Sequence, residues 1–286
     1  MPTRHQYEGA VGTIKYYDKP PPCGRLPASK SNHQSERKLM EPQWLSKAPV
    51  VEALVDIRTE HAQPLTQADL LKFESAIKAQ YPERRAKIKF TALVTGNGKS
   101  VNTDSSSIEG YYYRRTDKTQ VVQARLDGFS FSRLQPYIPW AEWTVDAKAM
   151  WRIFKDITAP TAITGISVRT LNVMELPIGT DMKKFIHIYP EVMEGSGLPQ
   201  KIGGFTMHVV LPHEESQSLI IMNQTAPATT DQTATHLSLS LDIDVQRGNQ
   251  GALTDEELWH QMDELRQVKN NFFFNLLSGS TLAGYA

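Results

Sequence analysis

Between residues 236 and 245 the chain alternates without a fault. Leu237, Leu239, Leu241, Ile243 and Val245 point one way, and His236, Ser238, Ser240, Asp242 and Asp244 point the other. A period of two puts successive side chains on opposite faces of a sheet, so this stretch is a strand with one apolar and one polar face. The period then changes. Thr254 and Glu257 have the spacing of a capping box, and Leu258, Met262, Leu265, Val268 and Phe272 form a helical stripe that can pack on those leucines.

The same two patterns occur upstream. Val51, Ala53, Val55 and Ile57 alternate with Glu52, Asp56 and Arg58, while Leu54 interrupts the polar side, which reads as a half-buried strand. A helix is expected from Leu65 to Tyr81, with Thr66 and Asp69 at its start, Leu70, Phe73 and Ile77 as its stripe, and Pro82 as its stop. Strands are expected near 88–94, 110–115 and 120–126, with a Gly-, Asn- and Ser-rich loop over 95–107. Met150, Phe154 and Ile157 mark a second helix. Beyond it come a strand over 166–173, a short helical turn around Met182 to Ile186, and strands over 205–211 and 218–223.

These elements repeat. Displacing the segment at Ala48 onto Ala159 (159 − 48 = 111) carries Pro49 onto Pro160, Val55 onto Ile166, Ile57 onto Val168 and Arg58 onto Arg169 without a gap. Tyr81-Pro82-Glu83 recurs as Tyr189-Pro190-Glu191. Proline, strand, arginine, helical stretch and YPE come in the same order twice, so an internal duplication is expected, each half reading strand, helix, three strands, helix. The expected fold class is α+β, an antiparallel sheet with helices on one face and a polar opposite face. Residues 1–47 are expected to be a poorly ordered extension, 48–158 the first repeat and 159–286 the second, packed as one body. Met40, just ahead of the first strand, is an alternative start to Met1.

Composition narrows the function. Acidic and basic residues are equal in number and the formal charge is +0, which excludes the strong positive field of a general nucleic-acid coater. Cys23 is the only cysteine, so no intrachain disulfide or thiolate metal cluster can form, and a reducing cytoplasm is the simplest home. No apolar run approaches the roughly 20 residues that cross a bilayer, so no membrane partner is expected.

The segments APVVEALVDIR, VVQARLDGFSFSRLQPYIPW, LSLDIDV and ELWHQMDELRQVKNNFF together resemble a sporadically distributed family of uncharacterised prokaryotic proteins, over residues 48–286. The resemblance implies no activity, cofactor or catalytic residue. The family's patchy distribution points to defence or toxin–antitoxin type loci.

The polar sheet face is the first candidate surface. Glu52, Asp56 and Arg58 of one strand, Arg169 of its repeat, and His236, Asp242 and Asp244 of the last alternating strand share it by parity, and Arg125 and Tyr112 are further candidate binding residues. They form either cross-strand charge pairs on a solvated face or a groove in which the two arginines bind an anionic ligand or an acidic partner segment. A metal-dependent hydrolase or nuclease would use Asp242, Asp244 and His236, although i and i+2 on a strand lie about 7 Å apart. Single-stranded RNA binding is suggested by Tyr111, Tyr112, Tyr113, Arg114 and Arg115 and by the Gly128–Phe131 GFSF run, which departs from the RNA-recognition pattern at Asp127, Ser130 and Leu134. Aromatics alternating in a strand belong more often to a core, so Tyr111 and Tyr113 should face one side and Tyr112 and Arg114 the other. Gly96-Asn97-Gly98-Lys99-Ser100 is a turn, since its first glycine stands too close to the lysine for a phosphate loop. The sequence therefore predicts a non-enzymatic binding or regulatory protein with no cofactor. Its ligand is a protein partner or a small anion, and exposed strand edges around 218–223 favour a homodimer.

Overall fold

A computed structural model describes residues 45–94, 101–179, 181–228 and 235–286. Its nine strands are β1 (Val50–Glu60), β2 (Glu83–Val94), β3 (Val101–Arg114), β4 (Gln120–Arg125), β5 (Gly128–Leu134), β6 (Ala162–Pro177), β7 (Phe205–His213), β8 (Ser218–Ala226) and β9 (His236–Gly251). The helices are α1 (Gln67–Ile77), α2 (Trp140–Thr158), α3 (Asp255–Leu276) and α4 (Gly279–Ala283), with a 3₁₀ turn at Met182–Lys184.

The strands form one antiparallel sheet in the order β2-β3-β4-β5-β1-β6-β9-β8-β7. β1 and β6 lie at its centre, with Val55 opposite Val168, Asp56 opposite Ser167 and Ile57 opposite Ile166. Because parity carries across every ladder, the face holding Val55 and Ile57 also holds Phe129, Phe131, Val122, Ile243 and Val245, all fully or almost fully buried. The helices cover this face. α1 packs on β3, β4 and α2, α2 packs on β5, and α3 packs on β6 and β9. The α+β architecture with helices on one sheet face is therefore observed.

Local chemistry accounts for the helix starts. The Asp69 carboxylate accepts from the Thr66 N–H at 3.1 Å and the Thr66 hydroxyl at 2.8 Å, and Glu257 does the same for Thr254 at 2.8 Å and 2.8 Å. α2 ends on Ala159 in the left-handed region, φ 45°. Asp255 then ties the two layers of helix together by accepting from Trp151 Nε1 at 3.1 Å and Lys155 Nζ at 2.7 Å.

Several expectations change. GFSF is the start of β5, a strand the sequence pattern did not reveal, so four strands follow α1 where three were expected. Gly128 is required there by close approach: its φ is +152°, and a Cβ would lie 2.2 Å from the Ile57 carbonyl. Residues 101–107 belong to β3 rather than to a loop, whereas the Gly96–Ser100 turn lies outside the described residues. Residues 218–223 are not an edge, because β8 is hydrogen-bonded to both β7 and β9; the edges are β2 and β7. The expected extension 1–47 falls outside the described residues up to 44. At its end Lys47 N–H donates to the Tyr285 carbonyl at 3.1 Å and Leu45 packs against the core.

Phe129 is 0% exposed and meets Phe73, Trp151 and Phe154 with ring centroids 5.6–6.4 Å apart. Phe129→Ala should cost about 3–5 kcal/mol in urea unfolding, since the surrounding rings are held by two different helices and cannot collapse into the void.

Candidate functional site

On the face opposite the helices the strands bring the sequence-predicted residues to one surface, but it is not a solvated one. Asp56 is 0% exposed, and Arg125, Asp242 and Asp244 are buried as well. Tyr112 is half-buried on β3, opposite Gln123 of β4. Buried charges persist only when paired, and these are. Arg125 Nη1 and Nη2 donate to the two Asp56 oxygens at 2.5 and 3.1 Å, and Arg125 Nε donates to Asp127 at 2.9 Å. Arg58 reaches the same Asp127 at 3.1 Å. Across β6 and β9, Arg169 Nε and Nη2 form a fork on the Asp242 oxygens at 2.6 and 2.8 Å, and Asn223 donates to Asp242 at 3.1 Å.

The two arginines are not brought together. Arg58 stands opposite Gly165 and Arg169 opposite Leu54, four register positions apart, or about 13 Å along the strands. Each is instead held in an ion pair of its own, Arg58 with Asp127 and Arg169 with Asp242. The metal arrangement fails in the same way: His236 sits at the strand end opposite Pro177, six residues before Asp242, and Asp242 is committed to Arg169. Among the described residues no group of three His, Cys, Asp or Glu side chains converges on a metal position. Tyr111, Tyr113, Phe129 and Phe131, four of the aromatics that suggested RNA binding, are buried on the helix side.

One carboxyl on this face lacks a cationic partner at hydrogen-bond distance. Asp244 accepts from Gln246 Nε2 at 2.6 Å on Oδ2, while its Oδ1 has no hydrogen-bond partner among the described residues. Burial pushes it up to about 7, opposed first by the Gln246 hydrogen bond and then by Arg169, and reinforced by Asp242.

The sequence reading missed the second feature, on the helix side. After Leu265 the buried stripe of α3 runs through Lys269, Phe273 and Leu276 rather than Val268 and Phe272, which are half-buried. The spacing 258, 262, 265, 269, 273, 276 follows the helical period, and a lysine at a core position of that stripe was the available signal. Lys269 is 7% exposed and has no carboxylate at ion-pair distance among the described residues; Nζ donates to Asn270 Oδ1 at 2.8 Å. Burial, and secondarily Arg266, holds its amine down at about 7.

Lys269 lines a cavity of about 310 Å³. The walls are α3, the start of β1, Thr170 and Asn172 of β6, and the first turn of α2 with Trp140 and Ala141. Arg266, one helical turn before Lys269, also lines it and lies over the Trp140 ring at 5.6 Å. The cap position of α2 is Pro139, which makes no side-chain cap bond. Two cations and a 19-residue helix start thus border one space, the arrangement in which unsatisfied N–H groups and aligned peptide dipoles favour an anion. A larger open groove of about 1140 Å³ lies between α3 and the β7–β8 turn, with Glu214, Glu215, Glu257 and Glu264 along it.

No family model matches the chain, and no curated protein matches it in sequence.

Asp56→Ala should cost about 3–5 kcal/mol by removing the forked partner of a buried guanidinium, whereas Arg58→Ala, whose pair with Asp127 is partly exposed, should cost at most about 1 kcal/mol. Arg58→Ala and Arg169→Ala should be additive in a double-mutant cycle on stability. The pH dependence has two arms. Asp244, raised to about 7, holds its proton longer folded than unfolded, so its contribution is full below about pH 4 and is lost as pH rises through 7. Lys269, lowered to about 7, loses its proton earlier folded than unfolded, so its contribution is full above about pH 10 and is lost as pH falls through 7. Subtracting Asp244→Asn from wild type in urea titrations should isolate the fall between pH 4 and 7. Lys269→Met should remove the rise between pH 7 and 10.

Proposed function

We propose that the protein is a non-enzymatic binding protein whose ligand is a small anion seated in the cavity at Lys269. The carrying observation is a buried lysine with no carboxylate partner at ion-pair distance among the described residues, facing a cavity bordered by Arg266 and the start of α2. A buried amine without a counter-charge is costly, and a bound anion supplies the missing charge. The volume, at the lower end of ligand sites, fits a compact molecule, and Trp140 and Phe273 provide apolar walls for its body.

The internal duplication belongs to this reading. With the displacement of 111 residues taken from sequence (159 − 48 = 111), Asp56 corresponds to Ser167 (56 + 111 = 167), and these two stand opposite each other in the β1–β6 ladder. A local two-fold relation through that pair would exchange β1 with β6 and α2 with α3. The strand order supports it, since β5 and β9 flank the central pair symmetrically. A cavity between α2 and α3 would then lie near the join of two similar halves, where ligand sites are common. The family resemblance extends the proposal to a regulatory role in a defence or toxin–antitoxin type system.

Thermal unfolding tests the anion reading. Chloride, acetate, benzoate, lactate and inorganic phosphate, each titrated at pH 7.5 and constant ionic strength, should separate, with at least one small carboxylate raising Tm by several degrees at saturation. Lys269→Met should abolish that increment while retaining the fold, because methionine fills the same space. Equal responses of wild type and Lys269→Met to every anion would overturn the proposal.

A further inference from the structure

Lys269 differs from an ordinary anion-binding lysine in where its amine sits. Lys269 lines a cavity that Trp140 and Phe273 also line, and the one hydrogen bond of its amine goes to the neutral Asn270 amide oxygen rather than to a carboxylate. Such an amine is a nucleophile as well as a charge. Arg266 lines the same cavity one turn earlier on α3; its Nε donates to Asp263 Oδ1 at 3.3 Å, and its two Nη groups can fork onto a carboxylate.

We propose that Lys269 captures small 2-oxo acids and related carbonyl-bearing anions as a reversible imine, with Arg266 holding the carboxylate. This rests on the anion reading of the cavity and names its ligand class. The Nζ lone pair attacks the carbonyl carbon, a C=N bond replaces the C=O bond, and the oxygen leaves as water with the two hydrogens that the amine gives up. Nothing is oxidised or reduced, and no co-reactant is required. Apolar walls favour the product, because water is released on formation and its return is needed for hydrolysis. The depressed basicity of the amine supports the step, since only the uncharged form attacks.

Trapping with cyanoborohydride tests it on the full chain. With glyoxylate or pyruvate at pH 7.5, peptide mapping by mass spectrometry should find one reduced adduct, on Lys269. It should form roughly 100-fold or more ahead of exposed lysines, whose amines are almost wholly charged at that pH. The rate should level off above pH 7 rather than climb towards pH 10. Lys269→Met should give no adduct. Arg266→Gln should slow the reaction of glyoxylate about 10-fold or more while leaving that of the neutral aldehyde propanal unchanged.

Adducts scattered over surface lysines, or an unmodified Lys269, would overturn imine capture. If lactate, which has no carbonyl, still raises Tm in a Lys269-dependent way while no adduct forms, capture falls and the anion site stands. If no anion raises Tm and no adduct forms, both readings fall together.

Discussion

Register between β1 and β6 is the constraint on which the rest of the molecule depends. Val55 faces Val168 and Ile57 faces Ile166 on the helix side, while Asp56 faces Ser167 on the other. Side chains alternate with a period of two, so a slip of β1 by one residue would carry Asp56 into the apolar layer and expel Val55 and Ile57. Since β5 is laddered to β1 and β9 to β6, that parity fixes which face α1, α2 and α3 must cover. The helices lie on one side because only one side of the shared register is apolar.

The opposite face carries its own order. It is buried yet polar, and its charges are matched across strands that are distant in sequence: Asp56 with Arg125, and Arg169 with Asp242. Forked pairs of this kind stabilise little relative to apolar substitutes, but removing either partner is costly, so they hold strand pairing to one solution. Arg58 and Asp127, at the more exposed end, are subject to solvent screening and have a smaller energetic role.

Net neutrality conceals a local imbalance. Asp244 on the polar sheet face and Lys269 on the helix side are both buried without an ion-pair partner among the described residues. They lie on opposite sides of the sheet and do not compensate one another. Each gives up charge near neutral pH instead. Of the two, only Lys269 lines a ligand-sized cavity, with a second cation and a helix start around it. A lysine on an otherwise apolar stripe breaks the local pattern of α3, and such departures are retained where function repays their cost.

Period and parity in the sequence determined the α+β class, most strands, the capping residues Thr66 and Thr254, and which residues share the polar face. Those features arise from neighbours within one element. The sequence did not reveal β5, because Phe129 and Phe131 alternate with Ser130 and Ser132 over only 7 residues and follow a turn glycine whose need comes from the Ile57 carbonyl of another strand. Nor did it disclose that Asp56 meets Arg125 rather than an arginine of the repeat, since that follows from β5 pairing with β1 and β4 with β5. Tertiary structure alone decided that Arg58 and Arg169 stand about 13 Å apart, and that Lys269, Arg266 and the first turn of α2 close around one cavity. A helical period places a lysine on a face, but whether that face meets solvent, a carboxylate or an empty space depends on which elements pack against it.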